Sequence, residues 1–376
     1  MSEIKKLIER LCPDGVEYRK LVDLAEVGTG SSNKQDSSDD GKYPFFVRSK
    51  FIERHNDYEY DEEAIIIPGE GGIGDIFHYI NGKYALHQRV YRIHFITNSV
   101  NAKFAYYYLR NSFKKYILGK AVSATVTSIR KPMIQNFEIP VPPIEVQSKI
   151  VEYLDNFTEL EAQLEAELEA RRKQYEYYRN QLLTFDKVGG ARFDVKWMTL
   201  GEICSILDSM RKPVTKNNRS AGNYPYYGAS GIVDYVADYI FDGDYLLVSE
   251  DGANLEMRTM PIAFSISGKN WVNNHAHILK FESIITQRYV QYYIEHMDIS
   301  TYLSKGSMPK LTQGQLKSIQ LPVPPLEEQK RIVSILDRFE ALTTDLQSGL
   351  PAEIEARRKQ YEYYREQLLT FKRKTA

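Results

Sequence analysis

Chemistry needs the right side chains at the right spacing, and the sequence offers three runs to test. Gly69-Glu-Gly-Gly-Ile-Gly74 has the glycine content of a phosphate-cradling loop, but no Lys-Ser/Thr pair follows at P-loop spacing, so it reads as a turn. His275-Ala-His277 alternates like a pair of metal ligands. No second cluster accompanies it, and a strand placing both rings on one face is the simpler reading. Pro13-Asp14, Glu17 and Lys20 have the residue types of a nuclease site at the wrong spacing, and they read as a turn before a strand. An Asn/Asp-Pro-Pro-aromatic run, which adenine methylation would need, is absent, as is a Ser/His/Asp hydrolase context. Cys12 and Cys204 cannot build a metal cluster and read as small core residues of a reduced protein. No catalytic constellation is left.

What remains is recognition chemistry. Arg130-Lys131 and Lys310 lie just upstream of two Pro-Pro runs, beside Ser123, Thr125 and Thr127 and beside Ser307 and Thr312. Further candidates are Lys34, Arg48, Lys50, Gln88, Arg89, Lys120, Arg211, Lys212, Lys216, Arg219, Asn273 and Asn274. Arginine can fork onto guanine, amides onto adenine, and Ser, Thr and Lys onto phosphates. The net charge of −1 hides a segregation. Lys103 to Lys131 holds seven basic residues and no acid, Ser209 to Val233 four and none, while Ile139 to Asp186 carries ten acids against five bases. Local patches, not net charge, set phosphate affinity, so the basic segments are expected to face a duplex.

Something must position these residues, and the chain repeats itself. Arg171–Phe185 reads RRKQYEYYRNQLLTF and Arg357–Phe371 reads RRKQYEYYREQLLTF, with only Asn180 and Glu366 differing. Ile139-Pro-Val-Pro-Pro-Ile-Glu matches Leu321-Pro-Val-Pro-Pro-Leu-Glu. Further back, Tyr43-Pro-Phe-Phe pairs faintly with Tyr224-Pro-Tyr-Tyr, and Ala64-Ile-Ile-Ile with Tyr245-Leu-Leu-Val, each of the latter followed by an acid and a glycine. Identical helices suit one shared partner, and divergent domains suit two different ligands.

Pro142-Pro143 precedes a helical pattern, where proline is tolerated. Leu154, Phe157, Leu160, Leu164, Leu168, Tyr175, Tyr178, Leu182 and Phe185 then form one apolar stripe, and Ile335, Phe339, Leu342, Leu346, Leu350, Ile354, Tyr361, Tyr364, Leu368 and Phe371 form a second. Ser348-Gly-Leu-Pro351 should break the second helix. A helix from Ile144 to Phe185 is roughly 60 Å long at 1.5 Å per residue. That covers between one and two turns of duplex, at about 34–36 Å per turn. Short β-rich runs at Ala64–Pro68, Tyr84–Phe95, Tyr245–Val248 and His275–Phe281 precede tyrosine-rich helices at Ala102–Tyr116 and Gln287–Tyr302. The expected fold class is α+β: two mixed domains separated by two long helices packed antiparallel as a coiled coil, a pseudo-twofold internal repeat. The expected boundaries are 1–141 and 195–323 for the domains, 142–186 and 324–372 for the helical spacers, and 187–194 for a linker that turns the chain back. With no apolar run of about 18 residues and charges within its first apolar pattern, the chain reads as neither membrane-spanning nor led by a signal peptide.

This order of domain, Pro-Val-Pro-Pro-Ile/Leu-Glu, long helix and RRKQYEYYR, given twice, resembles the specificity subunit of type I restriction-modification systems over essentially the whole chain. The resemblance implies two target recognition domains reading the halves of a split DNA site. It implies helices that set the spacer and dock two methyltransferase subunits, with Arg171, Arg172, Tyr175, Tyr178, Arg357, Arg358, Tyr361 and Tyr364 as docking candidates. No cofactor is expected in this subunit. S-adenosylmethionine, ATP and Mg2+ would sit on partner subunits, two for methylation and two for restriction, in a prokaryotic cytoplasm. Two other readings stay open: a coiled-coil scaffold whose end domains bind proteins, and the specificity subunit of a fused, type IIB-like enzyme.

Overall fold

The computed structural model describes residues 2–119, 128–185, 195–304, 308–345 and 347–375. The chain divides into two units, Met1–Glu165 with Ile354–Ala376, and Ala166–Glu353. The linker 187–194 and Leu346 lie outside the described residues.

In the first unit, helix α1 (Ser2–Leu11) leads to strand β1 (Tyr18–Lys20). Strands β2 (Ala25–Thr29), β3 (Tyr43–Phe46), β4 (Ile52–His55), β5 (Tyr60–Pro68), β6 (His78–Leu86) and β7 (Val90–Phe95) then make one sheet in the order β2-β7-β5-β6-β3-β4. Neighbours are antiparallel except β3 and β6. Successive side chains of a strand point to opposite faces. Ile65 and Ile67 therefore enter the main core, while Ala64 and Ile66 enter a second cluster, and all four are fully buried. That is why this run carries no polar alternation. Helix α2 (Ala102–Gly119) adds Phe104, Tyr107 and Phe113 to the main core. After α3 (Lys131–Gln135), strand β8 (Glu138–Pro140) pairs with β1 and ties the start of the domain to its end. Helix α4 (Ile144–Leu183) follows.

The second unit repeats the plan. Strand β9 (Lys196–Thr199), helix α5 (Leu200–Ile203), and strands β10 (Ser205–Ile206), β11 (Ala221–Gly228), β12 (Gly231–Val236), β13 (Phe241–Asp242) and β14 (Tyr245–Ser249) come first. Helix α6 (Asn254–Met257), strands β15 (Ala263–Ile266), β16 (Lys269–Val272) and β17 (Ala276–Lys280), helices α7 (Ile284–His296) and α8 (Gln313–Ser318), strand β18 (Gln320–Val323) and helix α9 (Leu326–Thr344) follow. The strands form two sheets here, β10-β17-β14-β15 and β12-β11-β16-β13, with β18 paired to β9. The parallel pair β11–β16 corresponds to β3–β6. What is one strand in the first unit, bent at Gly82 (φ +126), is two in the second, parted at Gly268 (φ +75). Two expectations are corrected. Helix α7 stops at His296 instead of reaching Tyr302, which belongs to a separate 3-10 turn. His275 lies before β17, so its ring does not share a strand face with the buried His277.

The expected break is present: α9 ends at Thr344 and α10 (Leu350–Leu368) begins with Pro351 in its first turn. In the first unit α4 and α10 run antiparallel. Tyr153 meets Tyr364 (5.7 Å between ring centroids), Phe157 meets Tyr361 (6.3 Å), and Glu161 accepts from Arg358 (2.6 Å). In the second unit the end of α4 lies on α9, with Phe339 against Tyr175 (6.1 Å) and Tyr178 (5.6 Å). Each copy of the repeated motif thereby closes the other copy's domain. Tyr361, Leu368, Leu369 and Phe371 join the first core, and Tyr175, Leu182, Leu183 and Phe185 join the second.

A matching lock holds each domain to its helix. Asp155 on α4 accepts from Tyr107 (2.6 Å) and pairs with Lys103 (2.7 Å). Asp337 on α9 accepts from Tyr292 (2.6 Å) and pairs with Arg288 (2.6 Å). Tyr292→Phe should destabilise the second unit by on the order of 1.5–3 kcal/mol, the range for a hydrogen bond to a charged group. Denaturant titration of the variant checks this, and an unchanged midpoint counts against the lock.

Candidate nucleic-acid interface

In the first unit, basic candidates gather where loops meet at one end of the sheet. The backbone builds the place. His87 N donates to Phe46 O (3.0 Å), Gln88 N to Ser32 O (2.9 Å), Gly69 N to Arg89 O (3.0 Å) and Ile129 N to Gly69 O (2.7 Å). Glu70 follows β5 and takes hydrogen bonds from Arg48 (3.0 Å) and Arg89 (3.1 Å). Those bonds, first from Arg48 and then from Arg89, hold its carboxyl below the usual range. Gly71 has φ +82, and a Cβ there would come 2.8 Å from Arg48 O, so glycine is required beside the clamp. His87 is buried, and its Nδ1 accepts from Arg89 N (3.0 Å). Burial, then the charges of Arg48 and Arg89, push its pKa down and keep the ring neutral. Lys34, Lys50 and Gln88 stand exposed around this cluster. So does Phe51, 70 % exposed with Lys50 Nζ over its ring, a residue the sequence reasoning missed because one aromatic in a loop carries no pattern. An exposed aromatic among cations can stack on a base or cover a thymine methyl. Arg130 caps α3 and, with Lys131, is exposed. Lys120, Ser123, Thr125 and Thr127 lie outside the described residues.

The second unit uses the same scaffold with other side chains. Asn273 N donates to Tyr227 O (3.0 Å), Glu250 N to His275 O (2.9 Å) and Leu311 N to Glu250 O (2.8 Å). Asp251 then holds His275 Nδ1 at 2.9 Å. Lys212, Lys216, Asn274 and Lys310 are exposed, with Lys310 3.1 Å from Glu250. Four expectations are corrected here. Arg211 is turned inward onto Glu250 (2.6 Å) and Ala276 O (2.9 Å). Arg219 is bound to Asp234 (3.0 Å) and lies over Tyr226. Asn273 is buried and its Oδ1 accepts from His275 N. Thr312 caps α8 in a reciprocal box with Gln315. Ser307 lies outside the described residues. The acid-free segments are not acid-free in space either, since Lys103 and Lys114 pair with Asp155 and Asp75.

Asp208, Glu250 and His277 bring one ligand atom each within 4.8 Å of one another, the spacing of a metal site. Their atoms are already used. His277 Nδ1 meets Asp208 (2.6 Å) and Nε2 meets Leu311 O (2.7 Å), while Arg211 and Lys310 bind Glu250. The cluster is a closed ion-pair network, and no metal is needed to balance it.

The repeated helix motif has two faces. Tyr361 is buried, Tyr175 is half-buried, and Tyr364 packs on Tyr153, so these docking candidates serve internal packing. Arg358 is paired with Glu161 and Glu165, Arg171 lies 3.4 Å from Glu167, and Arg357 donates to Gln360 (3.2 Å). Arg172 is exposed, and Tyr178 is 40 % exposed despite its contact with Phe339. The outward aromatic positions are Tyr177 (60 % exposed) and Tyr363 (59 %), identical in both copies and absent from the sequence expectation. Helical phase could have found them, because they fall off the apolar stripe. No described helix is long and apolar enough to cross a membrane.

Comparison with known proteins agrees with this architecture. The family model for the type I restriction modification DNA specificity domain matches twice, at residues 13–170 and 194–356. A putative type I restriction enzyme specificity subunit of Haemophilus influenzae is 41 % identical over 181 residues, which span 47 % of this chain and 46 % of that protein. The EcoR124I/EcoR124II specificity subunit of Escherichia coli is 33 % identical over 300 residues, 73 % of this chain and 72 % of that one. The crystal structure of a type I S subunit from M. genitalium superposes with a TM-score of 0.62 at 19 % identity, covering 94 % of this chain and 95 % of the other; at that identity the likeness speaks for the fold.

Proposed function

The chain belongs to the type I restriction-modification DNA specificity family, and we propose that it is the non-catalytic subunit whose two domains each read one half of a split duplex site. One observation carries this reading: three backbone hydrogen bonds that set the loops recur at matching positions in the two units, yet the exposed side chains presented there differ. A duplicated scaffold with altered contacts suits two different half-sites. The nearly identical helices suit a partner that meets both copies alike, with Tyr177 and Tyr363 as its contact points. That partner is an adenine methyltransferase subunit bringing S-adenosylmethionine; restriction subunits added to the complex bring ATP-driven cleavage.

Mapping methylated adenines across a genome, with this chain co-expressed with its methyltransferase, tests the proposal. A split motif with a fixed spacer is expected, and a continuous motif or none overturns it. Exchanging residues 1–138 with a relative should change one half-site. Deleting Leu164–Glu167 from α4 should shorten the spacer by about one or two base pairs, because four helical residues span roughly 6 Å. Four residues are close to one turn of 3.6, so the apolar stripe keeps its phase. An unchanged spacer defeats the idea that α4 sets it.

A further inference from the structure

We propose that Arg48 and Arg89, held by Glu70, read a guanine in the half-site of the first unit, and that Asp251 and His275 occupy the corresponding place in the second unit with different base preference. The inference rests on the chain reading DNA through its two units, and it names the residues that do so at one position.

The correspondence comes from the backbone. Gly69 N donates to Arg89 O as Glu250 N donates to His275 O, and Ile129 N donates to Gly69 O as Leu311 N donates to Glu250 O. The next residues, Glu70 and Asp251, therefore hold one place in the scaffold. Each is followed by a glycine with positive φ, Gly71 at +82 and Gly252 at +111. The acid and the glycine are kept between the copies, and the side chain on the acid is changed from Arg89 to His275. Phe46 and Tyr227 correspond through their bonds from His87 and Asn273, so Arg48 matches Ala229, which carries no charge. In a duplication whose copies meet different ligands, the kept residue supports and the changed residue reads.

Glu70 also argues for a base edge over a phosphate. A carboxylate 36 % exposed between two arginines lowers the local charge and repels a phosphate that comes close. A backbone clamp gains nothing from it. A reading clamp does, because the acid fixes both guanidinium planes before binding while leaving them 43 % and 58 % exposed. Each guanidinium has five donors, so donors remain for the ligand. Two adjacent acceptors, N7 and O6, are what guanine offers in the major groove, and forked arginine is their usual partner. His275 with one ring nitrogen on Asp251 offers a single remaining nitrogen, so the second unit cannot read guanine by the same fork.

The test uses the complex with its methyltransferase and its mapped duplex. Each guanine of the first half-site is replaced in turn by 7-deazaguanine, which removes N7 and keeps base pairing. One replacement should weaken binding by roughly 10- to 150-fold, the range for one lost hydrogen bond from a charged donor. Against whichever of Arg89→Ala or Arg48→Ala removes the fork, the same replacement should cost nothing further. Unchanged discrimination in the second half-site shows that these variants are folded. If the variants discriminate every first-half-site position as the unaltered protein does, or weaken all sequences equally with a smaller salt slope, the guanine clamp is refuted while the split site stands. If the unaltered complex has no split site, the clamp and the DNA reading fall together.

Discussion

A chain ending at Glu353 should lose the first unit and keep the second. The removed segment supplies Tyr361, Leu368, Leu369 and Phe371 to the first core, where Phe371 meets Phe104 at 6.1 Å. It also supplies main-chain partners: Val16 N donates to Lys372 O (2.8 Å) and Lys374 N to Val16 O (2.9 Å). A single Leu→Ala in a core costs about 2–5 kcal/mol and a Phe→Ala about 3–5. A whole domain holds about 5–15 kcal/mol. Four such losses together exceed what the unit can lose. Hydrogen exchange is the measurement: Ile65–Ile67 in β5 should lose protection while Leu246–Val248 in β14 keep theirs. Protection of β5 equal to that in the full chain would show that the domain closes without its borrowed helix. Leu368→Ala is the milder version, expected to lower the first unit's stability by about 2–5 kcal/mol.

This closure bears on what was legible in the sequence. The near-identity of the two motifs reads as one shared partner, and the outward Tyr177 and Tyr363 keep that reading alive. Yet the inward residues have a local reason to be alike, since each motif must fit a domain built on the same plan. A repeat reveals that two surfaces match; it does not reveal which side of the helix is turned inward. The strands were legible where burial on both faces left an uninterrupted apolar run, as at Ala64–Ile67. The limits of α7 were not, because Tyr302 continues the tyrosine pattern past the point where Met297 leaves the helix.

The candidate contacts were legible by type and obscure by partner. Arg48, Arg89, Lys50 and Gln88 stand exposed on neighbouring loops. Arg211 and Arg219 belong to an equally basic stretch and face inward. All four arginines meet an acid, and the difference lies in burial: on Glu250 and Asp234 the side chains of Arg211 and Arg219 are 13 % and 17 % exposed, while on Glu70 those of Arg48 and Arg89 keep 43 % and 58 %. Glu70 is the opposite case. It looks like part of a glycine-rich turn, and only its bonds to Arg48 and Arg89 tie it to the proposed contact residues.

Arg211→Met should destabilise the second unit by about 3–5 kcal/mol, the cost of breaking a buried ion pair from one side. The side chains of Arg211, Glu250, Asp208 and His277 are 13 %, 12 %, 5 % and 1 % exposed, so water cannot replace the lost cation. Burial pushes the Asp208 and Glu250 carboxyls up; hydrogen bonds from His277 to the first, and from Arg211 and Lys310 to the second, outweigh it and leave both lowered. Carboxyls more acidic in the folded than in the unfolded chain contribute stability that is whole above their ordinary range. That stability is lost as pH falls through the range and below it. Without Arg211, Glu250 moves back up, so the gap between the variant and the unaltered chain should be widest near neutrality and narrow on acidification. Thermal melts at several pH values measure the gap, and a constant difference would mean that Arg211 acts through packing alone. Adding Glu250→Gln to Arg211→Met separates the charge from the shape, because it removes the orphaned carboxylate; partial recovery in the double variant is expected. The backbone N and O of Glu250 also hold His275 and Leu311, two points of the loop scaffold that would meet DNA. A loss confined to the charge should therefore weaken the second half-site and leave the first untouched.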